Sequence, residues 1–155
     1  CVRRGVNVLQ LNLEDGLAIF EDNSFDVVLQ IDTLPHLRNA ETMLQETARV
    51  GRTGIVAFPN FAHWPNRLAV LRGRMPVTRR LPYQWYDTPN IRVGTYKDFE
   101  VLAHKNQLRV LDAFGLQEGR TVRWLPNARA GTAVFHFERL ASGASAPPKG
   151  AAPAR

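Results

Sequence analysis

The chain has 155 residues, 45% of them apolar and 22% charged, a globular balance with room for one domain and too little for two. No apolar run approaches the roughly 18 residues that cross a bilayer, and the single cysteine, Cys1, excludes an internal disulfide or a multi-Cys zinc site. The net charge of +6 is unevenly spread: residues 1–60 hold five basic and eight acidic side chains, residues 61–155 fifteen basic and six acidic. One cysteine fits a reducing cytoplasm.

Gly5–Gln10 (GVNVLQ) reads as a short strand. Leu17–Phe20 reads as one helical turn, followed by the turn cluster Glu21-Asp22-Asn23-Ser24. Phe25–Ile31 is nearly continuous in apolar residues, the pattern of a strand buried on both faces of a parallel sheet. Asn39 suits the N-cap of a helix to Val50, with Ala40, Met43, Leu44, Thr47 and Ala48 on one face. Gly51 and Gly54 stop that helix, and Gly54–Phe58 is a second buried strand. Strand, helix and strand make a βαβ unit with parallel strands and a right-handed crossover.

Residues 61–94 are less regular. A short helix through Leu68, Val70 and Leu71 ends at Gly73, and three prolines, Pro76, Pro82 and Pro89, break any longer element. Thr95 with Asp98 resembles a capping box that opens a helix to Asn106. Leu108–Phe114 and Thr132–Glu138 read as the last two strands, and residues 141–155 as a disordered tail.

Ser24-Phe25-Asp26-Val27-Val28, a loop with His36, a helix ending Arg49-Val50 and then Gly54–Asn60 resemble the second half of a class I, S-adenosylmethionine-dependent methyltransferase. Three further runs resemble the MetW family of bacterial methionine-biosynthesis proteins: FPNFAHW (58–64), GRMPVT (73–78) and LPYQWYDTPNI (81–91). The resemblance covers residues 1–139. It implies an α/β, Rossmann-like fold of which this chain holds the C-terminal portion of the sheet, residues 1–140.

The resemblance also exposes an absence. The family opens with a strand, a Gly-rich turn, a helix and a strand ending in an acidic residue, and these cradle the cofactor. No G-x-G occurs before residue 70. The first strand then corresponds to an edge strand whose neighbours are missing, with backbone groups unpaired at about 1–3 kcal/mol each if buried. Two outcomes follow: the chain is a fragment, the reading preferred here and supported by the missing initiator Met, or residues 5–10 re-pair with residues 25–31. S-adenosylmethionine is implied for an intact protein and not for this chain.

By resemblance, Asn12 and Leu13 face the adenine of the cofactor, with Asn12 standing where the family more often has Asp. Gln30 lies near the end of the strongest strand, at the edge where open α/β sheets bind ligands. Thr33 and His36 follow in the loop. No catalytic residue and no metal site is assigned. Asn60, Phe61, His63, Trp64, Tyr83, Trp85, Tyr86 and Asp87 form an aromatic-rich segment that reads as an acceptor-side lid, a protein-contact patch or a satellite core. The family context favours contact with a homoserine O-acyltransferase. Methyl transfer to an unknown acceptor is the alternative. Nucleic-acid binding through Arg67, Arg72, Arg74, Arg79 and Arg80 is the least favoured reading, since no nucleic-acid module surrounds them.

Overall fold

The computed structural model describes Gly5 and residues 7–140. The expected tail, 141–155, lies outside the described residues, as do residues 1–4 and, within the expected first strand, Val6. The elements are β1 (Phe25–Ile31), α1 (Ala40–Val50), β2 (Gly51–Pro59), α2 (Trp64–Leu71), α3 (Tyr96–Lys105), β3 (Leu108–Gln117), β4 (Arg120–Val122), α4 (Pro126–Arg129) and β5 (Thr132–Arg139). One five-stranded sheet has the order β1-β2-β5-β3-β4. β1 and β2 are parallel, and the remaining pairs are antiparallel.

The βαβ unit forms as the sequence predicts. Asn39 takes the N-cap position of α1, although its side chain makes no capping hydrogen bond. Thr95 does cap α3, its hydroxyl accepting from the Asp98 N–H. β2 starts three residues earlier than Gly54, because Gly51 passes directly from the end of α1 into the strand. A Cβ at Gly51 would sit 2.7 Å from Val28, and one at Gly54 would sit 2.6 Å from the Phe137 ring and 2.9 Å from Thr47. Both glycines therefore serve close helix–sheet packing as much as helix termination.

The core lies between one face of the sheet and helices α1 and α3. Phe135 and Phe137 of β5 are fully buried, with Val56 and Phe58 of β2, Leu44 of α1 and Phe99 of α3. The Phe135 ring centroid lies 4.4 Å from that of Phe99 and 4.6 Å from that of Tyr96. Each buried phenylalanine contributes roughly 2–3 kcal/mol through apolar area removed from water.

Three expectations are corrected. Residues 7–10 form no strand, and Val8 and Leu9 are exposed. They do not re-pair with β1 either, whose one partner among the described residues is β2. Asn12 starts a single 3₁₀ turn, Leu13–Asp15, instead. Second, β1 is not buried on both faces. Val28 and Gln30 point to the core, but Phe25, Val27, Leu29 and Ile31 are exposed, Leu29 by 63%. Its outer edge has no partner strand among the described residues. Third, Leu17–Phe20 is a turn closed by the Phe20 N–H on the Leu17 carbonyl and not a helical turn, and β3 runs on to Gln117, where the two-residue turn Glu118-Gly119 adds the short strand β4.

Candidate functional site

The C-terminal ends of β1 and β2 carry the loops that gather most of the nominated residues. The register sets Pro59 beside Thr132 and Thr132 beside Leu116, so the end of β2, the start of β5 and the end of β3 meet at one sheet edge. Asn60 is the knot at that edge. Its side chain is fully buried and donates to the carbonyls of Asn127 at 3.0 Å and Ala130 at 2.8 Å. Its Oδ1 accepts from the backbone N–H groups of Ala62 and Tyr96, both at 3.2 Å. Its backbone N–H donates to Gly131, and its carbonyl accepts from the Asn66 amide. One amide thereby ties together the 60–66 loop, the start of α3 and the α4–β5 connection. Asn60 is a structural clasp with no free group for a ligand.

His36 is also occupied. Its Nδ1 donates to the Pro89 carbonyl at 3.1 Å. The Pro35 carbonyl accepts from the N–H groups of Ile91 and Arg92, and Arg92 Nε donates to the Leu37 carbonyl. The 34–37 turn thus fastens the 89–92 segment over the sheet edge. Beside it lies an apolar pocket of about 170 Å³ walled by Leu34, Phe58, Val93, Phe99 and Leu102. Thr33 is half-buried, its hydroxyl donating to the Ile31 carbonyl.

The three residues nominated for the cofactor are not brought together as a cradle. Asn12 uses both ends of its amide within its own turn, accepting from the Glu14 N–H and donating to Asp15. Leu13 is exposed. Gln30 points into the core, its Nε2 donating to the Thr47 hydroxyl on α1. The strand's alternation explains this: Gln30 shares the face of Val28, which packs on α1, and not the sheet edge.

The aromatic segment divides by depth. Phe61 and His63 are half-buried, and burial holds the His63 imidazole below its ordinary range. Trp64, Tyr83, Trp85 and Tyr86 are exposed, Trp85 and Tyr86 each by 71%, and these two rings contact edge to face at 5.6 Å. Asp87 is exposed beside them. Of the readings weighed from sequence, a satellite core is ruled out for these four large rings.

A second, polar cavity of about 530 Å³ opens at the same edge, between His63, Arg79, Arg80 and the β3–β4 turn. The sequence showed Arg79 and Arg80 only as part of a basic run. That they meet Gln117 and Gly131 depends on the antiparallel return of β5, which no local pattern signals. No helix among the described residues is long and apolar enough to cross a membrane, and no group of three or more metal-ligating side chains occurs among them.

The fold is that of class I methyltransferases. A SAM-dependent methyltransferase of Thermotoga maritima, described as a possible histamine N-methyltransferase, superposes with a TM-score of 0.62 at 18% identity, over 90% of this chain and 67% of that one. A putative methyltransferase of Bacillus halodurans superposes with a TM-score of 0.53 at 11% identity, over 86% of this chain and 77% of that one. The bifunctional methionine biosynthesis protein MetXA/MetW of Rhodopirellula baltica is 35% identical over 142 residues, 88% of this chain and 23% of that protein. The chain thus spans about a quarter of that relative's length. Of the residues nominated for S-adenosylmethionine, Asn12 pairs with Glu14 and Asp15, while Gln30 donates to Thr47 and its buried Oε1 has no partner among the described residues, so as placed they form no cradle. The family model for methionine biosynthesis protein MetW matches residues 1–137, and the chain belongs to that family.

Proposed function

We propose that this chain serves methionine biosynthesis by docking a homoserine O-acyltransferase through its exposed aromatic segment, in the cytoplasm. The observation that carries the reading is the exposure of Trp64, Tyr83, Trp85 and Tyr86. Three of them sit on the 24 residues between α2 and α3, which hold no helix or strand. Large amphipathic rings in water are costly to keep without a use, and Trp and Tyr dominate binding hot spots. The Rhodopirellula relative supports the partner's identity, since its name joins a MetXA and a MetW function in one chain.

Arg67, Arg72 and Arg74 flank the segment, and a partner surface bearing carboxylates would be steered onto it. The test is co-purification with the acyltransferase, followed by acyl-transfer assays with and without this protein. A Trp85→Ala/Tyr86→Ala double variant, whose side chains support no core, should retain its fold and lose at least about 10-fold in affinity. Absence of a complex, or equal binding by the variant, rejects the reading.

A second reading, methyl transfer from S-adenosylmethionine to an unidentified acceptor, draws support from β1. Its open edge and bare apolar face suit a further strand and helix that would carry the cofactor cradle.

A further inference from the structure

The polar cavity at the sheet edge is built from two opposed tight turns. On one side, the backbones of Thr78 and Leu81 exchange hydrogen bonds at 2.9 and 3.0 Å, closing a two-residue turn with Arg79 and Arg80 at its corners. On the other, Gln117 pairs with Arg120 across the Glu118-Gly119 turn, where both corner residues have positive φ, 51° and 78°. Turn corners ordinarily go to Gly, Asn, Asp or Pro. Glu118-Gly119 follows that rule at Gly119, but Arg79-Arg80 has no conformational rationale as a turn.

Neither arginine forms an ion pair among the described residues, in contrast to Arg49, Arg109 and Arg123. The floor between the turns is Gly131. A Cβ there would lie 3.1 Å from Gln117 Oε1, 3.5 Å from Arg80 Cγ and 3.6 Å from His63 Nδ1, so two polar atoms and the aliphatic stem of Arg80 meet at a position kept free of a side chain. Gln117 is fixed by accepting the Gly131 N–H at 2.9 Å, which commits its carbonyl oxygen and keeps its amide N–H groups as donors. Thr78 Oγ1 accepts from the Leu81 N–H, which leaves its hydroxyl proton to donate. Leu116 and Pro65 add an apolar wall. Donors outnumber acceptors, and Glu118 is the one carboxylate on the lining.

We propose that this cavity binds a small anion, a carboxylate or phosphate group, with the Arg79 and Arg80 guanidiniums as the principal donors. The planar N–H pairs of a guanidinium match carboxylate and phosphate oxygens. Glu118 opposes the anion and sets an upper limit on its charge. The site is independent of the acyltransferase reading, because Trp85 and Tyr86 line no part of it.

The test is titration of the full chain with inorganic phosphate and, separately, succinate at constant ionic strength, followed by the Gly131 and Gly119 amide signals in NMR. Saturable shifts are expected at millimolar ligand, weakened at least about fivefold in Arg80→Gln and strengthened in Glu118→Gln. Phosphate alone saturating assigns a phosphate site, and succinate alone a carboxylate site. Both variants sit at exposed turns, so their amide spectra should otherwise match the parent's. No saturation by either anion below about 10 mM, or equal binding by parent and Arg80→Gln, overturns the proposal.

Discussion

Asn60 shows how a single side chain can look functional in sequence and prove architectural in space. It stands directly after an apolar strand and opens the aromatic-rich segment that reads as a lid or contact patch. Its amide instead answers five backbone groups from three segments. Three of these are carbonyls that face its nitrogen, and two are N–H groups that face its oxygen. Asn60→Ala removes every one of these partners in a fully buried setting and should cost about 3 kcal/mol in denaturant unfolding. Asn60→Asp is isosteric and should cost at least as much, because a carboxylate oxygen would then face the carbonyls of Asn127 and Ala130. A loss under about 1 kcal/mol for both variants would show that the three segments hold together without this knot. His36 carries the same lesson more mildly: a loop histidine at a ligand edge, spent on the Pro89 carbonyl.

At the scale of the element, β1 is the informative one. Its apolar run was legible as a strand, and its parallel pairing with β2 followed from the intervening helix. Its bare face was not legible, because a run of apolar residues records what a strand is built to bury and not what is present to cover it. Of the devices that protect natural edge strands, β1 carries one charge, Asp26, paired with Arg52, and no lysine, proline or bulge. A second copy pairing antiparallel across a two-fold axis would fill the edge. It would also bring the two Phe25–Ile31 stripes onto the same side of one wide sheet, enlarging the exposed apolar surface. A strand followed by a helix covers edge and face together. The Leu29→Lys/Ile31→Lys variant therefore should change the stability of this chain by no more than about 0.5 kcal/mol and should reduce its self-association in light scattering. Val56→Lys, at the fully buried β2 position paired with Gln30, should unfold it. A large loss of stability in the β1 variant would mean that this face is already covered in solution.

The whole molecule divides into a finished part and an open part. Helices α1 and α3 close one side of the sheet around Phe135 and Phe137, and most of that half was readable from helical spacing, the Thr95 cap and the two apolar strands. The antiparallel return of β5 between β2 and β3 was not, since a strand's neighbours depend on contacts far apart in sequence. The polar cavity is illegible in the sequence for the same reason: its two arginines and Gly131 are some fifty residues apart. The open part bears directly on the cofactor. In doubly wound folds the cofactor's backbone contacts come from a Gly-rich turn between a strand and a helix, and its specificity from an acidic residue at the next strand's end. Here the nearest candidates are turned elsewhere, Asn12 into its own turn and Gln30 toward Thr47. Calorimetry of this chain with S-adenosylmethionine should therefore give no saturable heat up to about 1 mM, a limit equivalent to roughly 4 kcal/mol of binding free energy. A form extended upstream by a strand, a Gly-rich turn and a helix should bind, and should bury the β1 stripe as it does so, seen as slowed amide exchange at Leu29. Micromolar binding by the 155-residue chain would mean that the loops after β1 and β2 form a cofactor site by rearranging, and that Gln30 and Asn12 give up their present partners to do so.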